Sequence, residues 1–400
     1  MKRYGGLWDS VVAWPNLVRA AAKAQRGKRD RPAVQHFNFT QEYQLYRLAE
    51  ELDRGTYRPG AFRSHWIARP KPRLISAAPY RDRVVHHALM NVLEPILDRH
   101  FHPGSYACRK GKGTHAAADR LQELMRGNRW FVQCDVRKFF PSIDHEVLKG
   151  KYRRLVKDRR VLSLMDLILD CSNEQEPVTE WFAGDDLFAP VGRRRGLPIG
   201  NLTSQWFANW MLNDLDHFVT SGLGVGAFVR YCDDFILLHN DPDLLRDSLG
   251  KVVELLERDR LRLHEQRLSI RESRGGARFV GFRIWPTHRL LTKDNVRAFR
   301  RRVRWMKRAY AEGKIDPAEV RPRLVSWMGH ARQADSKKLI RQLGREWKFV
   351  RGGAERLACP ARGLVEQQTE ELSFRAPQQE RARQSEQQHR VPCRAALSTD

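Results

Sequence analysis

Phe228-Val229-Arg230-Tyr231-Cys232-Asp233-Asp234-Phe235-Ile236-Leu237-Leu238 places two adjacent carboxylates between two apolar runs. Each run has the length and composition of a buried strand, and the polar step between them reads as the tip of a hairpin. Adjacent acids are costly there, because like charges repel and an apolar wall penalises ionisation. A turn or cap residue accounts readily for one aspartate. It accounts less well for two, set behind an aromatic and flanked by strands. A cation at the tip would offset the cost.

A second run strengthens that reading. Arg129-Trp130-Phe131-Val132-Gln133-Cys134-Asp135 is an apolar strand that also ends at an acid, and it opens into Val136-Arg137-Lys138-Phe139-Phe140-Pro141-Ser142-Ile143. Two antiparallel strand ends carrying Asp135, Asp233 and Asp234 make a candidate site for two metal ions. Magnesium takes oxygen ligands at about 2.1 Å and keeps substrate phosphates in its shell. A pair of such ions about 3.5–4 Å apart stabilises the attacking and leaving oxygens of in-line phosphoryl transfer. Zinc is disfavoured, because no His or Cys cluster accompanies the acids.

The bulk numbers agree with a polyanionic partner. The 400 residues carry 73 Lys and Arg against 47 Asp and Glu, a formal charge of +26, and nucleic acid is the commonest partner of so basic a chain. A basic solvated surface or a ribosomal-type structural protein is the blander alternative. A hydrophobic fraction of 41% is enough for real cores. No apolar run reaches the 18 residues that a membrane span needs, and Met1 to Trp14 lacks a signal-peptide layout. The six cysteines are scattered, with no CxxC pair, which points to a reducing, cytoplasmic setting.

Elsewhere the pattern predicts helices over 7–55, with Leu17, Val18, Ala21 and Ala22 on one apolar face and Tyr43, Leu45, Tyr46, Leu48 and Leu52 on another. It predicts a hairpin over 61–77 with Pro70 and Pro72 near its turn, apolar helices over 84–98 and 204–218, and helices over 145–171 and 243–260. Strands are expected near 267–271 and 278–284. Residues 291–349 read as basic helices with Trp305, Leu324, Trp327 and Leu339 in their core. Beyond Gly352-Gly353 the Gln-, Glu- and Arg-rich sequence predicts disorder.

The order of these pieces resembles a reverse transcriptase. Asp135 with Phe140, then Gly196-Leu197-Pro198-Ile199-Gly200-Asn201-Leu202-Thr203-Ser204-Gln205, then Tyr231-Cys232-Asp233-Asp234 looks like its palm. Upstream, Lys71-Pro72-Arg73-Leu74-Ile75, Tyr80-Arg81-Asp82-Arg83-Val84-Val85 and Ser105-Tyr106-Ala107-Cys108-Arg109-Lys110-Gly111-Lys112-Gly113-Thr114 resemble its fingers. Downstream, Leu263-His264-Glu265-Gln266-Arg267 and Phe279-Val280-Gly281-Phe282 resemble its last palm motifs. Any one of these motifs is weak; in order over this length they are specific. The resemblance implies an α+β right-hand polymerase fold: an N-terminal helical extension over 1–56, fingers and palm over 57–290, a helical thumb over 291–351 and a disordered tail over 352–400.

It also implies roles. Asp135 and Asp233, with the Val136 main chain, would hold two Mg2+ ions, or Mn2+ in their place, and Asp234 would support them. Lys71 and Arg73 would grip the incoming triphosphate. Phe140 would exclude a ribose 2′-OH, or else be a core aromatic. Ile199 and Gly200 would lie beneath the incoming base, and Arg109, Lys110 and Lys112 against the template backbone. Gly281 would let the backbone approach the primer end, and His86, His87 and His264 read as structural.

Most reverse transcriptases carry Gln where this chain has Ile199, and close that motif with Ser-Pro. Ile199-Gly200 followed by Ser204-Gln205 is similar instead to the enzymes of diversity-generating retroelements, which copy a template-repeat RNA with frequent errors at adenines for mutagenic retrohoming. That likeness implies template RNA, a DNA or cDNA primer, deoxynucleoside triphosphates and a small basic accessory protein as partners. Group II intron-like or defence-associated reverse transcriptases without diversification are the neighbouring possibility. A non-catalytic RNA-binding protein on the same fold would need a missing carboxylate, and none is missing. The tail adds one expectation at the level of codons. Glu386 to Cys393 can be encoded so that a one-base shift reads Asn-Asn-Asn-Ile-Gly-Phe-Arg, as if the reading frame overlapped a template repeat.

Overall fold

The apolar strands pair as their ends require. Asp135 of β3 (Trp130–Asp135) lies directly across from Asp234 of β5 (Asp234–His239), and β5 turns back on β4 (Ala227–Tyr231) with Tyr231 opposite Asp234. With β6 (Ile270–Glu272) on the far edge of β3, the antiparallel order is β4-β5-β3-β6. Phe131 to Cys134 and Phe235 to Leu238 are all buried, so both faces of the central strands are covered. They therefore read as continuous apolar runs, not as alternation.

A computed structural model of the chain describes residues 3–68, 72–172, 178–265, 268–347, 349–350 and 356–357. The chain divides into two units, 1–288 and 289–400. In the first unit, α1 (Trp8–Val12), α2 (Trp14–Ala24), α3 (Pro32–Phe39) and α4 (Gln41–Asp53) gather beside the long α5 (Tyr80–His100). The buried stripe of α2 is Leu17, Ala20, Ala21 and Ala24. Val18 and Ala22, expected on that face, point outward, as do Tyr43 and Tyr46 of α4. Alanine and tyrosine carry too little bias for the sequence to fix the helix rotation. Between α4 and α5 stands the expected hairpin, β1 (Arg63–Ile67) with β2 (Arg73–Ala77).

After α5 come α6 (Thr114–Gly127), β3, the single turn α7 (Phe139–Ser142), and α8 (His145–Arg153) with α9 (Arg159–Asp170), where one helix was expected. Asp158 divides them by capping the first turn of α9 at Arg160 and Val161. A short α10 (Ala189–Gly192) leads to α11 (Leu202–Met211), α12 (Asn213–His217) and a π-helical turn at Phe218–Gly222. α13 (Pro242–Arg258) packs on β3, β5 and β6. The expected strand at 278–284 is a hairpin, β7 (Ala277–Phe279) with β8 (Phe282–Ile284). Val280 and Gly281 form its turn, with φ of +43° and +89°. A β-branched residue in that region is strained.

The second unit holds β9 (Arg289–Leu291), α14 (Lys293–Ala311), α15 (Pro317–Ala331) and α16 (Lys337–Glu346), and Phe349–Val350 pairs with Arg356–Leu357. Its core is aromatic: Phe299 stacks on Trp327 at 3.8 Å between centroids, and Trp347 meets both edge-on. Trp305, expected in that core, is 51% exposed. Positions 299, 303 and 306 of α14 are the buried stripe, and 305 falls beside it. Apart from Arg356–Leu357, the tail expectations from residue 352 onward lie outside the described residues. Among the described residues no helix is long and apolar enough to cross a membrane.

Candidate active site

Two residues, Cys232 and Asp233, make the turn between β4 and β5, and Cys232 sits at φ +60°. A non-glycine residue in the left-handed region marks strain that its surroundings must hold. The turn is pinned to β3 where Val136 donates its N–H to the Asp233 carbonyl at 3.2 Å. Asp233 thus comes beside Asp135. Burial pushes the Asp233 carboxyl above its ordinary range, the nearby Asp135 carboxylate pushes it further, and Arg73 pulls it back. The third acid, Asp234, lies across the strands from Asp135 on the same face of the sheet. Asp234 accepts from the Gln133 amide at 2.9 Å, and the same amide donates to the Arg278 carbonyl at 2.8 Å. Among the described residues no three His, Cys, Asp or Glu side chains converge tightly enough to cage an ion. The three expected carboxylates thus come from the facing ends of β3 and β5 and the turn before β5, with Asp234 also held by Gln133.

Gln133 was not singled out from sequence. It lies two residues before Asp135, on the same face of β3, and is the one amide in an otherwise apolar strand; that was the available signal.

The pocket residues come from three segments held together by main-chain bonds. Leu197 donates to the Phe140 carbonyl at 2.9 Å and Gly196 to that of Ile143 at 2.8 Å. Phe140 is half-buried beside the buried Phe139. On the other side, Ser76 of β2 donates to the Ile199 carbonyl at 2.9 Å. Gly200 has φ +117°, which favours glycine, and a Cβ there would crowd Ile75 Cγ2 at 3.1 Å. Asn201 closes the join. Its buried amide donates to the Ser76 carbonyl at 2.8 Å and accepts from the Ala78 N–H at 3.1 Å. Arg73, at the start of β2, is thereby set on the strand that the Ile199–Gly200 loop grips. Lys71 lies outside the described residues.

Arg109 departs from its expected role against the template. Its side chain is 5% exposed and bonds the Asp98 carboxylate at 2.6 Å, with further bonds to the carbonyls of Asp98, His102 and Ser105. Its donors brace the chain's own loop. Lys112 is half-buried over the Tyr106 ring at 4.4 Å, and burial with Arg109 nearby lowers its pKa to about 8. Lys110 alone of the three is exposed. His86 is buried, with its pKa lowered to about 3 by burial and by His87, which suits an uncharged structural role. Gly281 holds the turn described above.

Residues 65–284 match the family model for reverse transcriptase (RNA-dependent DNA polymerase). The chain belongs to the reverse transcriptase family. It is related to the reverse transcriptases of group II introns. It is 27% identical over 211 residues to the group II intron-encoded protein LtrA of Lactococcus lactis subsp. cremoris, a match covering 52% of this chain and 33% of LtrA. It is 24% identical over 284 residues to protein YkfC of Escherichia coli (strain K12), covering 60% of this chain and 71% of YkfC. This reverse transcriptase thus spans about a third of LtrA's length. Among solved structures, apo telomerase from Candida tropicalis, truncated from its C-terminal domain, aligns with a TM-score of 0.43 at 13% identity, over 58% of this chain and 55% of that one. Telomerase from Candida albicans with a fragment of telomeric RNA aligns with a TM-score of 0.39 at 14% identity, over 64% of this chain and 51% of that one.

Reverse transcriptases generally use divalent ions such as Mg2+, and the residues of this site fit one. Asp135 and Asp233 are hard oxygen donors brought together in a half-buried setting that disfavours the charge of Asp233. The Val136 N–H is engaged by Asp233, which ties the main chain after Asp135 to the turn. Magnesium is commonly bound by one or two carboxylates with substrate phosphates completing the shell, so a full protein cage is not required.

Proposed function

We propose that this reverse transcriptase is an RNA-directed DNA polymerase, extending a DNA or cDNA primer on an RNA template by two-metal nucleotidyl transfer. The observation that carries the reading is the half-buried Asp135–Asp233 pair, with the charge of Arg73 on the β1–β2 hairpin acting on Asp233. Two Mg2+ ions, or Mn2+ in their place, would supply an activated primer 3′-oxygen and neutralise charge at the reacting phosphate. Asp135 and Asp233 would hold them with the Val136 carbonyl, and Asp234, tethered through Gln133, would support the pair. Arg73, with Lys71, would grip the triphosphate by charge-assisted hydrogen bonds. Phe140 would stand where a ribose 2′-OH would clash, and Ile199 and Gly200 beneath the base.

Ile199 favours a finer reading. Its side chain cannot hydrogen-bond, where a glutamine could hold the nascent pair by a polar contact. In this reading the enzyme copies a template-repeat RNA with errors at adenines, in the service of diversification, and works with a small basic accessory protein. Primer extension on an RNA template with and without Mg2+, followed by sequencing of the products, tests both levels. Metal-dependent synthesis enriched in errors opposite adenine is expected. Faithful copying of adenine would remove diversification and leave a group II intron-like polymerase. Failure to extend with either metal would remove the polymerase. Efficient, correctly placed initiation by the isolated chain would remove the accessory protein.

A further inference from the structure

Arg230 and Asp216 are both fully buried, an expensive arrangement that the mechanism above does not use. The pair is bidentate: Arg230 Nε donates to Asp216 Oδ1 at 2.7 Å and Nη2 to Oδ2 at 2.6 Å. The remaining nitrogen, Nη1, donates to Asn209 Oδ1 at 3.1 Å and to the carbonyl of Cys232 at 3.0 Å. Asn209 is fixed in turn, donating to the Ala107 carbonyl at 2.8 Å. The Arg230 main chain is held as well, its N–H on the Gly104 carbonyl at 2.8 Å and its carbonyl on the Tyr106 N–H at 2.9 Å.

The Cys232 carbonyl belongs to the peptide unit that leads into Asp233. Cys232 is the residue held at φ +60°, and rotation of the peptide unit that follows it would carry Asp233 away from Asp135. A guanidinium anchored at both ends is suited to prevent this. Its planar fork meets the carboxylate on one side and leaves a fixed donor for the carbonyl on the other. Replacing a buried ion pair by apolar residues is often neutral or stabilising, so fold stability alone gives little reason for this pair.

We propose that Arg230, oriented by Asp216 and Asn209, is a positioning residue that locks the Cys232–Asp233 peptide and so holds the Asp233 carboxylate where it and Asp135 take a divalent cation. The proposal rests on the reading of Asp135 and Asp233 as metal ligands.

The test is a Mn2+ titration of the full chain, followed by the electron paramagnetic resonance of free Mn2+, with thermal melting and RNA binding measured beside it. In the Arg230→Met, Asp216→Leu double variant, cooperative melting and RNA affinity within about twofold of wild type are expected. Its Mn2+ half-saturation should rise about 10–100-fold, as when an outer support of a metal ligand is removed. Arg230→Lys, which keeps the charge but cannot serve both Asp216 and Cys232, should weaken Mn2+ binding in the same direction. A folded double variant with wild-type Mn2+ affinity overturns the proposal. If that variant does not fold, an Arg230→Lys protein with wild-type affinity overturns it, and so does a wild type that takes up no Mn2+. A wild type that binds Mn2+ but extends no RNA-templated primer overturns the polymerase reading and leaves the positioning role standing.

Discussion

Asp233 carries the electrostatic tension of the site. Its folded-state pKa lies above the ordinary carboxylate range, first because the fold strips it of water and then because Asp135 is near. A raised folded pKa gives a stability contribution that is complete below the unfolded value and is lost as pH rises through the folded one. At neutral pH the metal-free protein therefore bears the repulsion in full. Asp233→Asn removes it, and without metal this variant should melt roughly 1–4 °C higher than wild type at pH 7, a shift of the size that about 1 kcal/mol produces. The gap should close as pH falls into the ordinary carboxylate range and when wild type is saturated with Mg2+. A variant that melts lower at pH 7 would contradict this electrostatic account.

Ile199 gives the second residue-scale prediction. One well-placed polar contact to a base is worth roughly 1–3 kcal/mol of discrimination. Ile199→Gln should thus lower misincorporation opposite adenine by about tenfold or more, read by sequencing the products. An unchanged adenine error spectrum would remove Ile199 from fidelity.

At the scale of elements, function depends on how short segments are joined. The loop 196–201 is bonded to the Phe140–Ile143 segment on one side and to β2 on the other. Asn201 is the join to β2. Asn201→Ala would remove the buried hydrogen bonds to the Ser76 carbonyl and the Ala78 N–H, at about 1–3 kcal/mol, measurable by denaturant unfolding. Because β2 carries Arg73, KM for deoxynucleoside triphosphates should rise more than kcat falls. A variant that loses stability with both constants unchanged would confine Asn201 to folding.

The β4–β5 hairpin and the Asp135 strand were legible in the sequence because apolar runs ending in acids have few alternative explanations. The joins were not. Asn201, Gln133 and Arg230 act through partners from 76 to 278 in the chain, and no local pattern shows which distant carbonyl a buried amide or guanidinium will meet. Arg109 misled for the same reason: a basic residue in a Gly- and Lys-rich loop looks free for phosphate until Asp98 and three carbonyls are seen around it. The split of 278–284 into two strands was signalled by Gly281, whose turn also holds Val280 at positive φ.

At the scale of the whole molecule, a formal charge of +26 and a site of clustered acids do different work. The excess of Lys and Arg favours a polyanion wherever it lies, through counterion release. Arg297, Arg300, Arg301 and Arg304, which line an open cleft of about 440 Å³ in the second unit, are one concentration of that charge. The acids of the first unit carry the proposed chemistry. Binding and synthesis should therefore be separable, and one variant separates them most directly. In purified full-length Asp233→Asn with an RNA template, a DNA primer and Mg2+, RNA affinity should stay within about twofold of wild type, because the basic surface is untouched. Extension should fall by at least about a thousandfold, on the order of 4 kcal/mol of transition-state stabilisation. Substantial primer extension by that variant would contradict the assignment of Asp233 to the metal site and, with it, the two-metal mechanism proposed for this reverse transcriptase.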